Sequence, residues 1–140
     1  EAFKATGKPV IAAGLSFSQS QYYLAATADK VFLHPMGMVA LTGFGVYRNY
    51  FRDALERLHV DITLFRAGDY KSAAEPLVRN NMSKQDREAN RAWLDVLWRH
   101  YKEDIAAMRG IRPDRPQAIL DDPGKYLRQH GGSIAALAQK

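Results

Sequence analysis

At 140 residues and 15.8 kDa, with 46% hydrophobic residues, the chain has the size of one typical domain and enough apolar material for a core, which argues against disorder. Lys and Arg number 20 against 15 Asp and Glu, a formal charge of +5, but bases and acids interleave in "REANRAW" and "HYKEDIAAMRG", the pattern of solvated helix faces and not of a nucleic-acid stripe. The lack of cysteine excludes disulfides, thiol catalysis and Cys-based zinc sites, and the longest apolar stretches, "VIAAGL" and "AALA", fall far short of the ~20 residues of a membrane span.

In chain order, "EAFKATGKP" reads as a helix end without an initiator methionine, so the chain is expected to be a piece of something longer. "VIAAGL" is short, apolar and bounded by turn residues, a buried strand entering the polar loop "SFSQSQ" and then a helix in "QYYLAATA". "KVFLHP" is a second strand closed by Pro35, "MVALTGFG" a third ending in two glycines, and "DITLFRAG" a fourth. Between the last two, Tyr47, Tyr50, Phe51, Ala54, Leu55 and Leu58 recur at helical steps, an amphipathic helix. Ser83 and Asp86 form an S-x-x-D helix start, and Ala89, Ala92, Trp93, Val96, Leu97, Tyr101, Ile105 and Met108 trace one apolar face as far as Gly110. "RPDRP" is a polar connector, and Ser133 caps a last short helix. The order implies an α/β layer architecture with helices on a largely parallel sheet, small enough that strands from before Glu1 are expected to extend it.

Several motifs carry little. "GLSFS" at Gly14 to Ser18 approaches the G-x-S-x-G elbow but has serine where the strained turn wants glycine. "GFGVYR" and "TGKP" lack the residues of a dinucleotide fingerprint and a phosphate loop. His34, His59, His100 and His130 have no metal-ligand spacing, so neither a metal nor any other cofactor is expected. Trp93 and Trp98 fall on different sides of one helix, one for a core and the other for an interface.

In "GDYKSAAEP" a single lysine, Lys71, stands between a tyrosine and small side chains. One reading is an exposed lysine just past a strand. The other is a general base, which requires a neutral amine and therefore burial among apolar or small groups. Tyr70, Ser72, Ala73 and Ala74 bring no acid beside it.

With "KPVIAAG", "SQSQYYLAATADKVFLHP", "LTGFG", "LFRAGDYKSAAEPLVRNNMS" and "REANRAWLDVLWRHY" in this order, the sequence resembles the signal peptide peptidase A family, also called protease IV, from about Lys8 to Arg109. That resemblance implies a Ser/Lys-dyad peptidase on a crotonase-like, ClpP-related α/β fold, of which residues 1–140 would be part of one domain. It places the family's general base on Lys71. The family's serine lies in an A-S-G-G-Y segment, which is replaced here by "SQSQY"; aligning on Tyr22 puts Gln19 at the nucleophile position. Long members carry two tandem copies, the N-terminal one with the lysine and the C-terminal one with the serine, and this chain looks like the N-terminal copy.

The resemblance further implies signal peptides as substrates, a serine-bearing C-terminal domain of the same or a neighbouring protomer as partner, a homo-oligomer, and a full-length protein on the periplasmic side of the bacterial inner membrane. Gly43 and Gly45 fall where the related fold lines its substrate groove, although a tight strand-to-helix turn would equally explain them. Ser18 and Ser20 are local rivals for the nucleophile, each one residue out of register. A catalytically silent scaffold that binds peptides or builds an oligomer interface is the alternative from another class. A relative handling acyl-CoA would need an oxyanion-glycine or paired-carboxylate constellation that the sequence does not display.

Overall fold

The apolar run after Pro9 and the one before Pro35 pair with each other. In the computed structural model, which describes residues 3–65 and 72–138, strands β1 (Ile11–Gly14) and β3 (Lys30–Leu33) form a parallel ladder with Ala12 opposite Val31 and Gly14 opposite Leu33. A second parallel pair joins β2 (Phe17–Ser18) to β4 (Val39–Ala40). Parallel pairing therefore holds as expected, but in two separate two-stranded sheets, with β2 inside the segment read as a loop.

The helix of "QYYLAATA" is α1 (Gln19–Ala25), and it starts earlier than its apolar residues suggest because Ser18 closes a capping box. The Ser18 hydroxyl accepts from the Gln21 N–H at 3.3 Å, and the Gln21 side chain accepts from the Ser18 N–H at 2.9 Å. The amphipathic segment between the third and fourth strands yields a shorter helix than expected, α2 (Arg52–Arg57). Tyr47, Tyr50 and Phe51 precede it: the Phe51 N–H donates to the Pro76 carbonyl at 2.7 Å, and Phe51 takes a non-helical backbone conformation. The fourth strand is not formed over 61–65. Ile62 and Leu64 keep the alternation but face solvent, and no neighbouring strand among the described residues offers a ladder.

A short helix, α3 (Glu75–Val78), precedes the long α4 (Lys84–Arg109), which ends at Gly110 in the left-handed conformation (φ 63°). Two more helices follow, α5 (Arg115–Asp121), which begins inside the connector "RPDRP", and α6 (Pro123–Gln129), in a stretch with no expected element. Each has proline in its first turn, where the missing N–H costs nothing, and Asp122 caps α6 through the Lys125 N–H at 2.9 Å. Ser133 caps α7 (Ile134–Ala138), accepting from the Ala136 N–H at 3.2 Å.

The chain divides into two compact units, one of Glu1–Gly43 with Arg99–Lys140 and the other of Phe44–Trp98. In the first, Tyr101 and Ile105 of α4 are buried with Phe17, Ala25, Ala26, Ala28, Ala135 and Leu137. Tyr23 stacks on Tyr101 at 5.6 Å and donates to Asp104 at 2.6 Å, which fixes α1 against this part of α4. The hydrogen bond to that carboxylate, before burial, raises the Tyr23 pKa; burial raises that of Tyr101. The apolar face traced along α4 is buried at Tyr101 and Ile105, whereas Trp93, Val96, Leu97 and Met108 stay partly exposed. Trp98 meets Phe44 edge to face at 6.2 Å. Among the described residues no helix is long and apolar enough to cross a membrane.

Candidate active site

Lys71, the expected general base, lies outside the described residues; its neighbour Ser72 is described and is fixed at both of its ends. The Ser72 carbonyl accepts from the Glu75 N–H at 3.0 Å, and its hydroxyl donates to Asp86 Oδ1 at 2.6 Å. Asp86 sits in the first turn of α4, is 5% exposed, and receives Arg48 on its other oxygen at 3.1 Å. A buried carboxylate needs a cation and hydroxyl or amide donors in place of the water it loses, and Asp86 has both.

The cap of α4 explains how Asp86 reaches Ser72. The Ser83 hydroxyl accepts from the Asp86 N–H at 3.1 Å, as S-x-x-D predicts. The reciprocal bond of a capping box, from the Ser83 N–H to the third residue's carboxylate, goes instead to Glu75 Oε2 at 3.0 Å. Glu75 is 1% exposed. With Glu75 in that role, the Asp86 carboxylate turns toward Ser72 and Arg48. Tyr50 lies in the same unit, and burial, then the nearby Asp86 and Glu75 carboxylates, raise its phenol pKa.

Neither Glu75 nor Asp86 was singled out as a site residue. The sequence shows Asp86 as an ordinary first-turn acid and Glu75 as an acid before proline, and the contact to Ser72 spans 14 positions. The one local signal was S-x-x-D, which points to the cap and not to the loop it holds.

In the other unit, Gln19, at the expected nucleophile position, opens α1, and its carboxamide lies on the turn after β4. Gln19 Oε1 accepts from the Thr42 N–H at 3.0 Å and from the Gly43 N–H at 2.8 Å, while Nε2 donates to the Gly43 carbonyl at 3.1 Å. The Gln19 backbone carbonyl accepts from the Tyr101 hydroxyl at 3.1 Å. Two residues chosen separately from the sequence, Gln19 and Gly43, are thus in direct contact.

Gly43 has φ 71°, in the left-handed region where a side chain is strained, so its backbone alone accounts for glycine. At Gly45 a Cβ would approach the ring of Tyr47 to 2.9 Å, and Tyr47 is an exposed side chain able to turn away. Of the rival nucleophiles, Ser18 has its hydroxyl in the α1 cap, with Ser20 Oγ 3.4 Å away, and both are exposed.

With this geometry in place, comparison with known proteins assigns the family. The model of Peptidase family S49 matches residues 2–139, and the chain belongs to that family. It is 42% identical over 139 residues to Protease 4 of Salmonella typhi and 40% identical over 142 residues to Protease 4 of Haemophilus influenzae, matches that cover 91% and 99% of this chain. A more distant relative, the chloroplastic serine protease SPPA of Arabidopsis thaliana, is 24% identical over 119 residues, 85% of the chain. The matched regions span 22%, 23% and 18% of these relatives, so the chain corresponds to less than a quarter of their length.

Proposed function

We propose that this chain is part of the lysine-bearing, N-terminal copy of a two-copy serine peptidase, and that it supplies Lys71 as general base to a serine on another domain of the same or a neighbouring protomer. The observation that carries the reading is the family match over 2–139, and the resemblance of "GDYKSAAEP" to the family's lysine segment supports the choice of Lys71. Support comes from Ser72, the residue after Lys71, whose hydroxyl and carbonyl are both held by neighbours. It comes also from β1 and β3: parallel sheets are ordinarily covered on both faces, yet Ile11 and Phe32 are more than half exposed, as in part of a larger, crotonase-like layered domain.

In this reading a neutral Lys71 amine takes the proton of the serine hydroxyl as its oxygen attacks the peptide carbonyl. Backbone N–H groups hold the oxyanion, and the lysine ammonium returns the proton to the departing amine. Water, deprotonated by the same lysine, then hydrolyses the acyl-enzyme. Cleaved signal peptides are the proposed substrates, Gly43 and Gly45 line the groove that receives them, a homo-oligomer is the working assembly, and the periplasmic side of the bacterial inner membrane is the location.

The test is substitution in the full-length protein. Lys71→Ala abolishes hydrolysis of an apolar fluorogenic peptide while circular dichroism stays unchanged, and Lys71→Arg is as damaging because a guanidinium keeps its proton. Undiminished hydrolysis by a folded Lys71→Ala protein would sink the assignment. The placement of Gln19 on the Thr42–Gly43 turn is shared by one alternative, a catalytically silent scaffold, in which the nucleophile position is likewise taken by a side chain with no nucleophilic chemistry. That reading expects no hydrolysis from the full-length wild type.

A further inference from the structure

The carboxamide of Gln19 engages both polar backbone groups of Gly43, taking its N–H at 2.8 Å and giving a hydrogen to its carbonyl at 3.1 Å. A residue paired with an extended neighbour makes the same two bonds, one in each direction, to that neighbour's backbone. The Thr42 N–H adds a second donor to Oε1 at 3.0 Å, so two consecutive N–H groups converge on one oxygen within the ~2.7–3.1 Å of a carbonyl-binding site. A Cβ built on Gly43 would meet nothing within 4 Å, so there is room beside this residue.

We propose that the Gln19 carboxamide stands in for a peptide unit at Gly43, and that an extended peptide pairs with this residue only after the carboxamide swings out. This rests on the reading above that Gly43 lines a peptide groove. The ligand class is the backbone of an extended peptide, recognised by its own C=O and N–H and not by its side chains.

The surroundings let the side chain leave without moving the main chain. The backbone of Gln19 is held independently of its carboxamide, by the Ser18 capping box before it and by the Tyr101 hydroxyl on its carbonyl. Gln19 is half-buried, and Thr42 is exposed. The occupant therefore competes with the peptide for the same backbone groups, and removing it strengthens peptide binding.

The experiment compares the full-length protein with its Gln19→Ala and Gln19→Asn forms. Asn keeps an amide at the start of α1 but is one methylene too short to reach the turn, so it serves even if Ala disturbs folding. KM for an apolar fluorogenic peptide falls about five- to tenfold in both variants while kcat moves less, because the freed carboxamide is rehydrated and its displaced contacts together favour the closed state only modestly.

Hydrogen exchange of the segment containing Thr42 and Gly43 supplies a readout that needs no turnover. Added peptide, with Lys71→Ala in the background, slows exchange there more in the Gln19 variants than in the protein retaining Gln19. A KM that rises would make Gln19 a support of the turn and overturn the proposal; so would an unchanged KM with unchanged peptide protection. Absence of hydrolysis in wild type, or full activity of Lys71→Ala, would instead bring down the peptidase reading, and peptide protection at Thr42–Gly43 would still decide the Gln19 contact.

Discussion

In the unit made of Glu1–Gly43 and Arg99–Lys140, the buried side chains are Phe17, Tyr101, Ile105, Leu137 and a set of alanines; in the unit Phe44–Trp98, the buried residues described are Glu75, Ser83, Asp86 and Asn90. The first is held by apolar packing, which is non-directional and tolerant of small shifts. The second is held by directional bonds, each with a particular partner: Glu75 on the Ser83 N–H, Asp86 on Ser72 and Arg48, and Asn90 donating to the Asp86 carbonyl at 2.8 Å. Buried polar groups of this kind contribute less net stability than a hydrophobic core of similar size, but they specify one arrangement. The polar unit is also the one whose sequence contains Lys71, and placing a reactive group is a task for which directional bonds suit better than packing alone.

That contrast is open to test by mutation. The largest stability effect is expected in the apolar unit, where Ile105 is 2% exposed: Ile105→Ala leaves a cavity and costs about 2–5 kcal/mol in chemical denaturation. Next comes Asp86→Ala, which removes the acceptor of the Ser72 hydroxyl and the partner of Arg48. It costs about 1.5–3 kcal/mol, the range for bonds to a charged group. An Asp86→Leu variant as stable as the wild type would show that packing at position 86 could replace the network, and the contrast would fail.

The smallest effect concerns the exposed pair at the start of the chain. Asp29 accepts from the Val10 N–H at 2.7 Å and lies 2.9 Å from Lys4, and these, the backbone bond first, lower its pKa. A folded-state pKa below the unfolded one contributes stability that is present above the unfolded value and lost as pH falls through the folded one. Asp29→Asn is therefore expected to lower the denaturation midpoint slightly near neutrality, with the difference from wild type closing as pH falls through the ordinary aspartate range and below it. A gap that persists in acid would assign the effect to something other than this ionisation.

How much the sequence revealed follows the range of the interactions. β1 and β3 as strands, α1, the start and end of α4, and the Ser133 cap agree with the sequence because each depends on neighbours a few positions away, but β1, expected to be buried, alternates between exposed and half-buried residues. The helix α5 begins inside "RPDRP", which reads as a connector because proline fits a loop as well as it fits the first turn of a helix, and α6, opening on Pro123, has no expectation in the sequence. The helix around Tyr47–Leu58 was drawn too long because the Phe51 N–H bonds to Pro76, a contact invisible to periodicity.

At the candidate site, aligning on Tyr22 brought out Gln19, and Gly43 was chosen for its place between strand and helix, yet nothing local joined the two. Their contact spans 24 positions, and the one from Ser72 to Asp86 spans 14. Such pairs are set by the fold, which is why the polar network beside the lysine segment escaped sequence reasoning.

The most direct test of the central claim, that this chain brings a base and not a nucleophile, is peptide hydrolysis by the 140-residue chain on its own, shown to be folded by circular dichroism, beside the full-length protein and its Lys71→Ala form. The account predicts a silent chain, an active full-length protein and an inactive Lys71→Ala protein. Hydrolysis by the isolated chain that disappears with Lys71→Ala would contradict it, and would return Ser18 or Ser20 to the role of nucleophile in a self-contained site.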